Sequence, residues 1–189
     1  MAASEIILVR HAEAVPLQPG ASDAVDNDRP LSDAGRIAAD QLASELSRLP
    51  IEAVFSSPYR RAIETVEPIA ATHQLHVRMD EDLRERRLAG VPLVGDAFVD
   101  AIRRAREDPR FAPPGGESTQ QVMKRAIAVF GRMARAVSDG AVVAGTHGGL
   151  ISVVRWHLGE EFSIEDALAE PTPALYRLQL IRGRPRFRS

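Results

Sequence analysis

The chain has 189 residues, of which 44% are hydrophobic and 26% are charged, as is typical of a globular protein with one hydrophobic core. Its formal net charge of -2 gives no general basic field that would attract nucleic acid or an anionic membrane. The absence of cysteine excludes disulfides and a cysteine nucleophile, and it fits a reducing cytoplasm. Neither a signal-peptide pattern nor an apolar run of about 20 residues occurs. We therefore expect a single cytoplasmic domain over residues 1–189 with no membrane contact.

The first half of the chain alternates between strand and helix patterns. Continuous apolar runs over residues 5–9 and 51–57 are typical of strands that are buried on both faces of a parallel sheet. Helical spacing over residues 31–49 separates them, and residues 15–30, rich in Pro, Gly, Asp and Asn, predict a loop. We expect an α/β fold with parallel crossovers, arranged as a three-layer α/β/α sandwich with a mostly parallel central sheet.

Serine residues indicate where several helices begin. Ser32 is expected to cap the helix over residues 31–49, and Ser57 is expected to cap a helix that starts with Pro58. Ser118 is expected to cap a long helix later in the chain. Each serine hydroxyl can accept a hydrogen bond from a free backbone N–H group in the first helical turn.

The second half of the chain contains a charged insertion and the last strands. Residues 75–90 start as a weak strand and end in a cluster of charged side chains. Residues 91–116 combine prolines and glycines with a charged helical stretch, which predicts a small cap insertion and not a second domain. Residues 141–159 predict a buried strand, a polar turn and a helix closed by Gly159, and residues 174–181 predict a last strand.

Histidine and arginine residues follow three of the predicted strands. Arg10 and His11 end the first strand, Arg60 and Arg61 follow the second, and His147 follows a later buried strand. Any one of these would more often be structural or exposed, but ligands of open α/β sheets collect where the strands end. Their joint placement therefore predicts one anion site. No metal-ligand pattern such as H-E-x-x-H occurs, so we expect neither a metal nor another cofactor.

Six short motifs occur in a fixed order between about residue 6 and residue 158. They read "LVRHAEA", "RPLSDAGRIAADQLA", "VFSSPYRRAIETV", "LRERRLAG", "PPGGEST" and "VVAGTHGGLISVV". Together they resemble the histidine phosphatase superfamily, the phosphoglycerate mutase-like group, in its branch of small bacterial members. The resemblance implies a metal-independent phosphomonoester phosphatase that acts through a phosphohistidine intermediate.

The resemblance also implies roles for individual residues. His11 matches the nucleophile that is phosphorylated during turnover, His147 matches the second histidine, and Glu85 matches the proton donor. Arg10 matches the phosphate-binding arginine beside the nucleophile. Arg61, directly before an alanine in "SSPYRRA", matches the second phosphate-binding arginine.

Further residues near these motifs have two possible roles each. The backbone N–H groups of Gly148 and Gly149 lie at a predicted helix start, where they can bind phosphate or form only a tight turn. Arg86 is a candidate substrate contact. Glu13 either orients the neighbouring histidine and its loop or is an ordinary polar loop residue. Glu85 itself could belong to a solvated ion-pair network with the arginines around it.

The chemistry of these residue types is suited to phosphoryl transfer, independently of the family resemblance. An attacking imidazole must be neutral, and adjacent guanidinium charges disfavour the imidazolium form. Arginine can bind two phosphate oxygens at once and stays protonated. A protonated carboxyl group can deliver a proton to the leaving alkoxide, and the carboxylate that results can activate water to hydrolyse phosphohistidine. A phosphate dianion beside Glu85 would raise the pKa of its carboxyl group, as an acid requires.

Three alternative functions remain at this stage. A phosphoglycerate mutase-type transferase is disfavoured because Leu17 stands where the glycolytic mutases carry Asn and because the cap is small. The phrase "DNDRPLS" resembles phosphohistidine protein phosphatases, whereas Glu85 favours a phosphate monoester. A catalytically silent module would bind a phosphorylated ligand or protein without turnover. We expect a small-molecule phosphate ester as the partner, a phosphoprotein as the alternative, and no nucleic acid; no oligomeric state is indicated.

Overall fold

A computed structural model describes residues 5–18, 23–91, 93, 95–181 and 184–187. The strands are β1 Glu5–Arg10, β2 Ile51–Ser56, β3 Val77–Met79, β4 Ala141–Thr146, β5 Ala174–Ile181 and β6 Arg184–Phe187. The α-helices are α1 Asp23–Asn27, α2 Asp33–Leu46, α3 Arg60–Thr72, α4 Gly95–Glu107, α5 Thr119–Ala134, α6 Gly148–His157 and α7 Ile164–Ala169. A 3-10 turn covers Glu81–Leu83. Within the described ranges, none of the helices is both long and apolar enough to cross a membrane.

The six strands form one sheet in the order β3-β2-β4-β1-β5-β6. Parallel pairing joins β3, β2, β4 and β1, whereas β5 runs antiparallel to β1, and β6 runs antiparallel to β5. The predicted mostly parallel sheet is therefore confirmed. Arg10 lies opposite Thr146, and Ser56 lies opposite Gly145, so the central strands β1, β2 and β4 end at the same level.

Helices cover both faces of the sheet. Alternate residues of β1 face opposite layers: Ile6 and Leu8 belong to the apolar cluster that includes α5 and α6, and Ile7 and Val9 belong to the cluster that includes α2 and α3. All four side chains are completely buried, and each contributes about 1.5–3 kcal/mol relative to an exposed side chain. The three-layer α/β/α sandwich is thus confirmed, and β1 forms a rigid support for the residues that follow it.

Several of the predicted helix ends are observed. The hydroxyl of Ser32 accepts a hydrogen bond from the N–H group of Gly35 at 3.0 Å and caps α2. Ser118 and Gln121 exchange hydrogen bonds between side chain and backbone in a capping box at the start of α5. Gly159 follows α6 with φ +90, a left-handed conformation that suits glycine after a helix.

The hydroxyl of Ser57 accepts a hydrogen bond from the N–H group of Tyr59 at 3.3 Å, as predicted, but the predicted helix start at Pro58 is wrong. Helix α3 begins at Arg60 after Tyr59, which makes no side-chain capping bond. The same hydroxyl also lies 2.8 Å from Nε2 of His147, a completely buried ring on a neighbouring strand end. Ser57 thus combines a local backbone contact with a long-range contact to the candidate site.

Four further features differ from the sequence prediction. The loop over residues 15–30 contains α1, a helix of five residues with no apolar periodicity, and α2 ends at Leu46 instead of residue 49. Helix α7 and strand β6 were not expected. The start of α7 does carry a local signal, because Ser163 and Asp166 form a capping box.

The predicted insertion contains α4, which lines a cavity together with Gly148 and Gly149 at the start of α6. The hydroxyl of Thr119, at the start of α5, donates to the carbonyl of Ala105 at 2.9 Å. Nη1 of Arg106 donates to the carbonyl of Phe162, just before α7, also at 2.9 Å. These two contacts attach the carboxyl end of α4 to both neighbouring segments. Its role as a cap, and the single domain over residues 1–189, stay predictions.

Candidate active site

His11 occupies the first position after β1, where its backbone N–H group still donates to the carbonyl of Thr146 at 3.0 Å. Its Nδ1 lies 2.8 Å from the carbonyl of Ala12, which can only accept a hydrogen bond, so Nδ1 carries the ring proton. Nε of Arg61 donates to Nε2 of His11 at 3.2 Å. The ring is therefore held in the tautomer whose lone pair lies on Nε2.

The pKa of His11 is lowered from 6.5 to about 4, chiefly by burial and then by the positive charges of Arg61, Arg10 and Arg29. The hydrogen bond to the carbonyl of Ala12 opposes this shift. The predicted effect of the guanidinium groups is thus present, but desolvation is the larger cause. His11 is neutral at pH 7, as an attacking imidazole must be.

His147 is completely buried and immediately precedes α6. Its ring packs edge-on against the rings of His11 and Tyr59, with centroid separations of 5.2 and 4.9 Å. Burial, followed by the charge of Arg61, places the pKa of His147 well below its usual range. Among the described residues, Nδ1 of His147 has no hydrogen-bond partner, so this buried polar atom is available to a ligand.

Arg61 is the member of the arginine pair that lies beside His11. Its side chain is only 3% exposed, whereas Arg60 points outward and pairs with Glu64 at 2.6 Å. Nη1 of Arg61 donates to the backbone carbonyl of Asp26 at 2.7 Å, and both terminal nitrogens contact the Asp26 carboxylate at 3.3 Å. Helix α1 therefore orients the guanidinium group of Arg61.

Arg10 lies over the start of α6. A Cβ atom on Gly148 would approach Nε of Arg10 to 3.1 Å, so the missing side chain of this glycine allows the close packing. Nη1 of Arg10 donates to the carbonyl of Glu170 at 3.3 Å and, more weakly, to that of Ala167 at 3.5 Å. Nε of Arg10 is buried without a partner among the described residues, and the N–H groups at the start of α6 lie beside it.

A third arginine, Arg29, was not singled out from the sequence. Nε of Arg29 lies 3.1 Å from the carboxylate of Asp26, and Nη1 donates to the carbonyl of Val15 at 3.1 Å. Its charge contributes to the lowered pKa values of His11 and His147. The phrase "DNDRPLS" was the available signal, since it places Arg29 next to the motif that precedes α2.

Glu85 lies beside the start of α6 and lines a cavity. Its carboxylate accepts hydrogen bonds from the N–H groups of Arg86 at 2.7 Å and Gly149 at 3.3 Å. Burial nevertheless raises the pKa of Glu85 above its usual range. The ion-pair network considered for this residue forms instead around Glu117, whose carboxylate pairs with Arg84 and Arg125.

The two remaining candidates differ in their placement. Nε and Nη2 of Arg86 donate to the carbonyl of Glu117 at 3.3 and 3.2 Å, and its side chain lines the same cavity as Glu85. The exposed carboxylate of Glu13 accepts a hydrogen bond from Ser32 at 2.5 Å, at the start of α2. The observed contacts of Glu13 thus stabilise the entry into α2, while Arg86 lies next to the site.

Together, the ends of β1, β2 and β4 carry two neutral imidazoles, the buried Arg61, the partly buried Arg10 and the start of a helix. This arrangement can bind a phosphoryl group through charge-assisted hydrogen bonds and present Nε2 of His11 to phosphorus. Across the described part of the chain, no three His, Asp or Glu side chains are placed to hold a metal ion.

Comparisons with known proteins agree with this geometry. Residues 6–189 match the family model of the histidine phosphatase superfamily, branch 1. Phosphoglycerate mutase-like protein 4 of Arabidopsis thaliana is 34% identical over 161 residues, which cover 78% of this chain and 68% of that protein. Glucosyl-3-phosphoglycerate phosphatase of Mycolicibacterium vanbaalenii is 31% identical over 166 residues, which cover 82% of this chain and 73% of that protein.

A solved structure is similar along almost the whole chain. The native structure of a mycobacterial glucosyl-3-phosphoglycerate phosphatase superimposes with a TM-score of 0.74 and 26% identity, covering 98% of this chain and 96% of that one. The sequence relatives and this structure include named phosphatases, and the phosphohistidine mechanism is characteristic of the family. The chain belongs to the histidine phosphatase superfamily, branch 1.

Proposed function

We propose that this chain hydrolyses phosphate monoesters by way of a phosphohistidine on His11, with Glu85 as the proton donor. One observation carries the proposal: Nε2 of a neutral His11 lies within hydrogen-bonding distance of the buried Arg61, at the junction where Arg10 and His147 also lie. A nucleophile, two cationic phosphate ligands and a second imidazole are thus supplied by three adjacent strand ends.

In the first half-reaction, the lone pair on Nε2 of His11 forms a bond to phosphorus as the bond from phosphorus to the ester oxygen breaks. Arg10 and Arg61 bind the phosphoryl oxygens, whose negative charge they compensate throughout the transfer. Glu85 gives its proton to the departing alkoxide, which is too basic to leave unaided. The raised pKa of Glu85 favours the protonated form that this step requires.

In the second half-reaction, the carboxylate of Glu85 accepts a proton from water. The water oxygen bonds to phosphorus, the bond from phosphorus to Nε2 breaks, and inorganic phosphate leaves. His11 is again neutral and Glu85 is again protonated, so the cycle consumes one ester and one water molecule. One carboxyl group serves both halves because its protonation state alternates.

The proposed substrate is a small-molecule phosphate ester. Glucosyl-3-phosphoglycerate, the substrate in the name of one relative, supports only the phosphate monoester class and not a particular alcohol. Dephosphorylation of a protein phosphohistidine is disfavoured because that leaving group has less need of the acid at Glu85. A catalytically silent binding module is disfavoured because it would not require a neutral nucleophile and an acid. The cytoplasmic location of the protein stays a prediction.

The decisive experiment combines turnover with detection of the intermediate. Wild-type protein is mixed with phenyl phosphate, quenched in alkali, where phosphohistidine survives, and measured by intact mass spectrometry. We expect one added phosphoryl group in the wild type and none in His11→Ala, together with a loss of at least about 10³-fold in kcat. His76→Ala is the matched control, because His76 is an exposed histidine away from the site. Full activity of His11→Ala would exclude the proposed mechanism.

A further inference from the structure

A cavity of about 260 Å³ lies beside the candidate active site, on the side where Glu85 faces it. Glu85, Gly148 and Gly149 contribute to its lining, so the cavity is directly adjacent to the carboxyl group of the proposed proton donor. A substrate whose phosphoryl group lies at His11 would have its ester oxygen next to Glu85. The rest of its alcohol would then extend into this cavity.

The remaining walls of the cavity are mostly hydrocarbon. They come from α4, α6 and α7, each of which contributes large apolar side chains: Phe98, Ile102, Val153, Trp156, Ile164 and Leu168. Leu168 is 55% exposed, although it is a large apolar side chain. Exposed apolar surface that is grouped around a concave site is typical of a ligand-binding pocket.

We propose that this cavity holds the leaving group of the substrate and selects a compact, apolar alcohol that carries a ring or a branched hydrocarbon. The proposal rests on the proposed function, because it assigns the cavity by its position relative to Glu85. It excludes polyhydroxylated sugars and small carboxylated alcohols as preferred leaving groups.

Several polar side chains in the lining already donate hydrogen bonds to the protein, although Nε of Arg10 has no partner among the described residues. The hydroxyl of Thr119 donates to Ala105, Arg86 donates twice to Glu117, and Arg106 donates to Phe162. The guanidinium group of Arg106 also stacks over the Phe162 ring, with its carbon 4.8 Å from the centroid. A sugar in this cavity would lose water from several hydroxyl groups and regain few hydrogen bonds, which disfavours its binding.

The size and fixed walls of the cavity indicate a compact leaving group. A volume of about 260 Å³ is just below the ~300–1,000 Å³ that is usual for small-molecule sites. The contact between Thr119 and Ala105 fixes α4 to α5, and the contact between Arg106 and Phe162 fixes it to the segment before α7. The walls are thus held in place by contacts that involve no ligand.

Trp156 allows a direct binding test, because it lines the cavity and is the single tryptophan of the chain. Its fluorescence is titrated in the His11→Ala variant, which keeps the cavity but lacks the proposed nucleophile. The probes are 2-phenylethyl phosphate, glycerol 3-phosphate, glucose 6-phosphate and 3-phosphoglycerate. All four have primary alcohols as leaving groups, so they differ mainly in what the cavity must accommodate.

We expect 2-phenylethyl phosphate to bind at least about tenfold more tightly than the three polar esters. Phe98→Ala, made in the same background, should remove most of this preference. Phe111→Ala is the matched control, because Phe111 is a half-buried phenylalanine of the same insertion that does not line the cavity. Equal or tighter binding of any polar ester, or an unchanged preference in Phe98→Ala, would overturn the proposal.

Hydrolysis of the same esters by the wild type separates this proposal from the proposed function. If turnover depends on His11 but glycerol 3-phosphate has a kcat/KM equal to that of 2-phenylethyl phosphate, the leaving-group assignment fails and the phosphatase mechanism stands. If no ester is hydrolysed, the proposed function fails, and the fluorescence titration still decides which class of molecule the cavity binds.

Discussion

Nε of Arg61 donates a hydrogen bond to Nε2 of His11 across 3.2 Å. A guanidinium group cannot accept a hydrogen bond, so the imidazole can make this contact only when Nε2 is unprotonated. Arg61 also adds a positive charge that disfavours imidazolium. The same contact therefore selects the tautomer of His11, directs its lone pair and maintains its neutral state.

The titration of His11 should depend on Arg61. Burial and the arginine charges place the pKa of His11 at about 4. In Arg61→Met, the loss of one positive charge should raise this pKa, because imidazolium is then opposed by fewer cations. The measurement is the chemical shift of the His11 ring nitrogens by NMR as pH is lowered. An unchanged midpoint in the variant would show that Arg61 does not control the protonation of the ring.

The stability of the protein should fall as pH decreases from about 6.5 to about 4. The folded state lowers the pKa of His11 from 6.5 to about 4, so in this interval the unfolded chain binds a proton that the folded chain does not. His11 alone should account for a loss on the order of 2 kcal/mol in unfolding free energy between about pH 7.5 and pH 5. Urea denaturation at about pH 7.5 and at about pH 5 measures this difference in unfolding free energy.

The contribution of His11 is isolated by substitution. His11→Gln should show a smaller decrease in unfolding free energy over the same pH interval, whereas His76→Gln, at an exposed position, should behave as the wild type does. Some dependence on pH should persist in His11→Gln, because burial also lowers the pKa of His147. Identical pH slopes for His11→Gln and wild type would contradict the buried, neutral state of His11.

Gly149→Ala should impair the proposed acid without removing it. A Cβ atom at this position would lie 2.6 Å from Oε1 of Glu85 and 3.2 Å from Cβ of Arg86, so the carboxyl group must move. We expect the kcat of an alkyl phosphate to fall by about 10²-fold and that of an aryl phosphate to fall less, because its leaving group needs less protonation.

Gly131→Ala provides the control for that substitution. Gly131 lies within α5, and a Cβ atom there would meet only the end of the Arg135 side chain, at 3.6 Å. We expect unchanged kcat values and a gain of about 0.4–1 kcal/mol in unfolding free energy, measured by urea denaturation. An equal loss of alkyl and aryl turnover in Gly149→Ala would argue against Glu85 as the donor.

Arg125 should be a positioning residue for Glu85. Its guanidinium group, only 7% exposed, donates to the carbonyls of Asp82 at 2.7 Å, Arg84 at 2.9 Å and Glu85 at 3.4 Å, and it pairs with Glu117. Arg125→Met should cost about 3–5 kcal/mol of unfolding free energy, because it leaves the Glu117 carboxylate without its buried partner. The same substitution should also lower kcat for alkyl phosphates more than kcat for aryl phosphates.

Arg132 offers a comparison seven residues along the same helix. Its 40% exposed side chain pairs with Asp80 and Asp82, close to the same segment but without a contact to Glu85. Arg132→Met should cost less than about 1 kcal/mol and leave the ratio of alkyl to aryl kcat unchanged. A changed ratio in Arg132→Met, or an unchanged one in Arg125→Met, would contradict the assigned role.

The sheet and the strand ends were predictable because their signals are local. A run of apolar residues that changes abruptly to Arg10 and His11 marks both a buried strand and its exit. The joint placement of His147 and Arg61 follows once the strands are parallel, since equivalent ends then lie at the same edge. The family resemblance added the residue roles and is confirmed by the match over residues 6–189.

The supporting contacts were not predictable because they join distant parts of the chain. Asp26 orients Arg61 from a five-residue helix, and nothing in the composition of residues 15–30 distinguishes that helix from a loop. Arg125 reaches carbonyls about forty positions earlier, and only packing decides which ones. The second partner of the Ser57 hydroxyl was not predictable for the same reason, since His147 is 90 residues away.

The contacts between Arg10 and the carbonyls of Ala167 and Glu170 have a consequence for how this protein could acquire new substrates. Both acceptors belong to the backbone, while the side chains of Ile164 and Leu168 in the same segment face the cavity. Mutations that replace those side chains leave the anchoring carbonyls unchanged. Specificity can therefore change by mutation while Arg10, the proposed phosphate ligand, keeps its support, which makes α7 a suitable target for directed evolution.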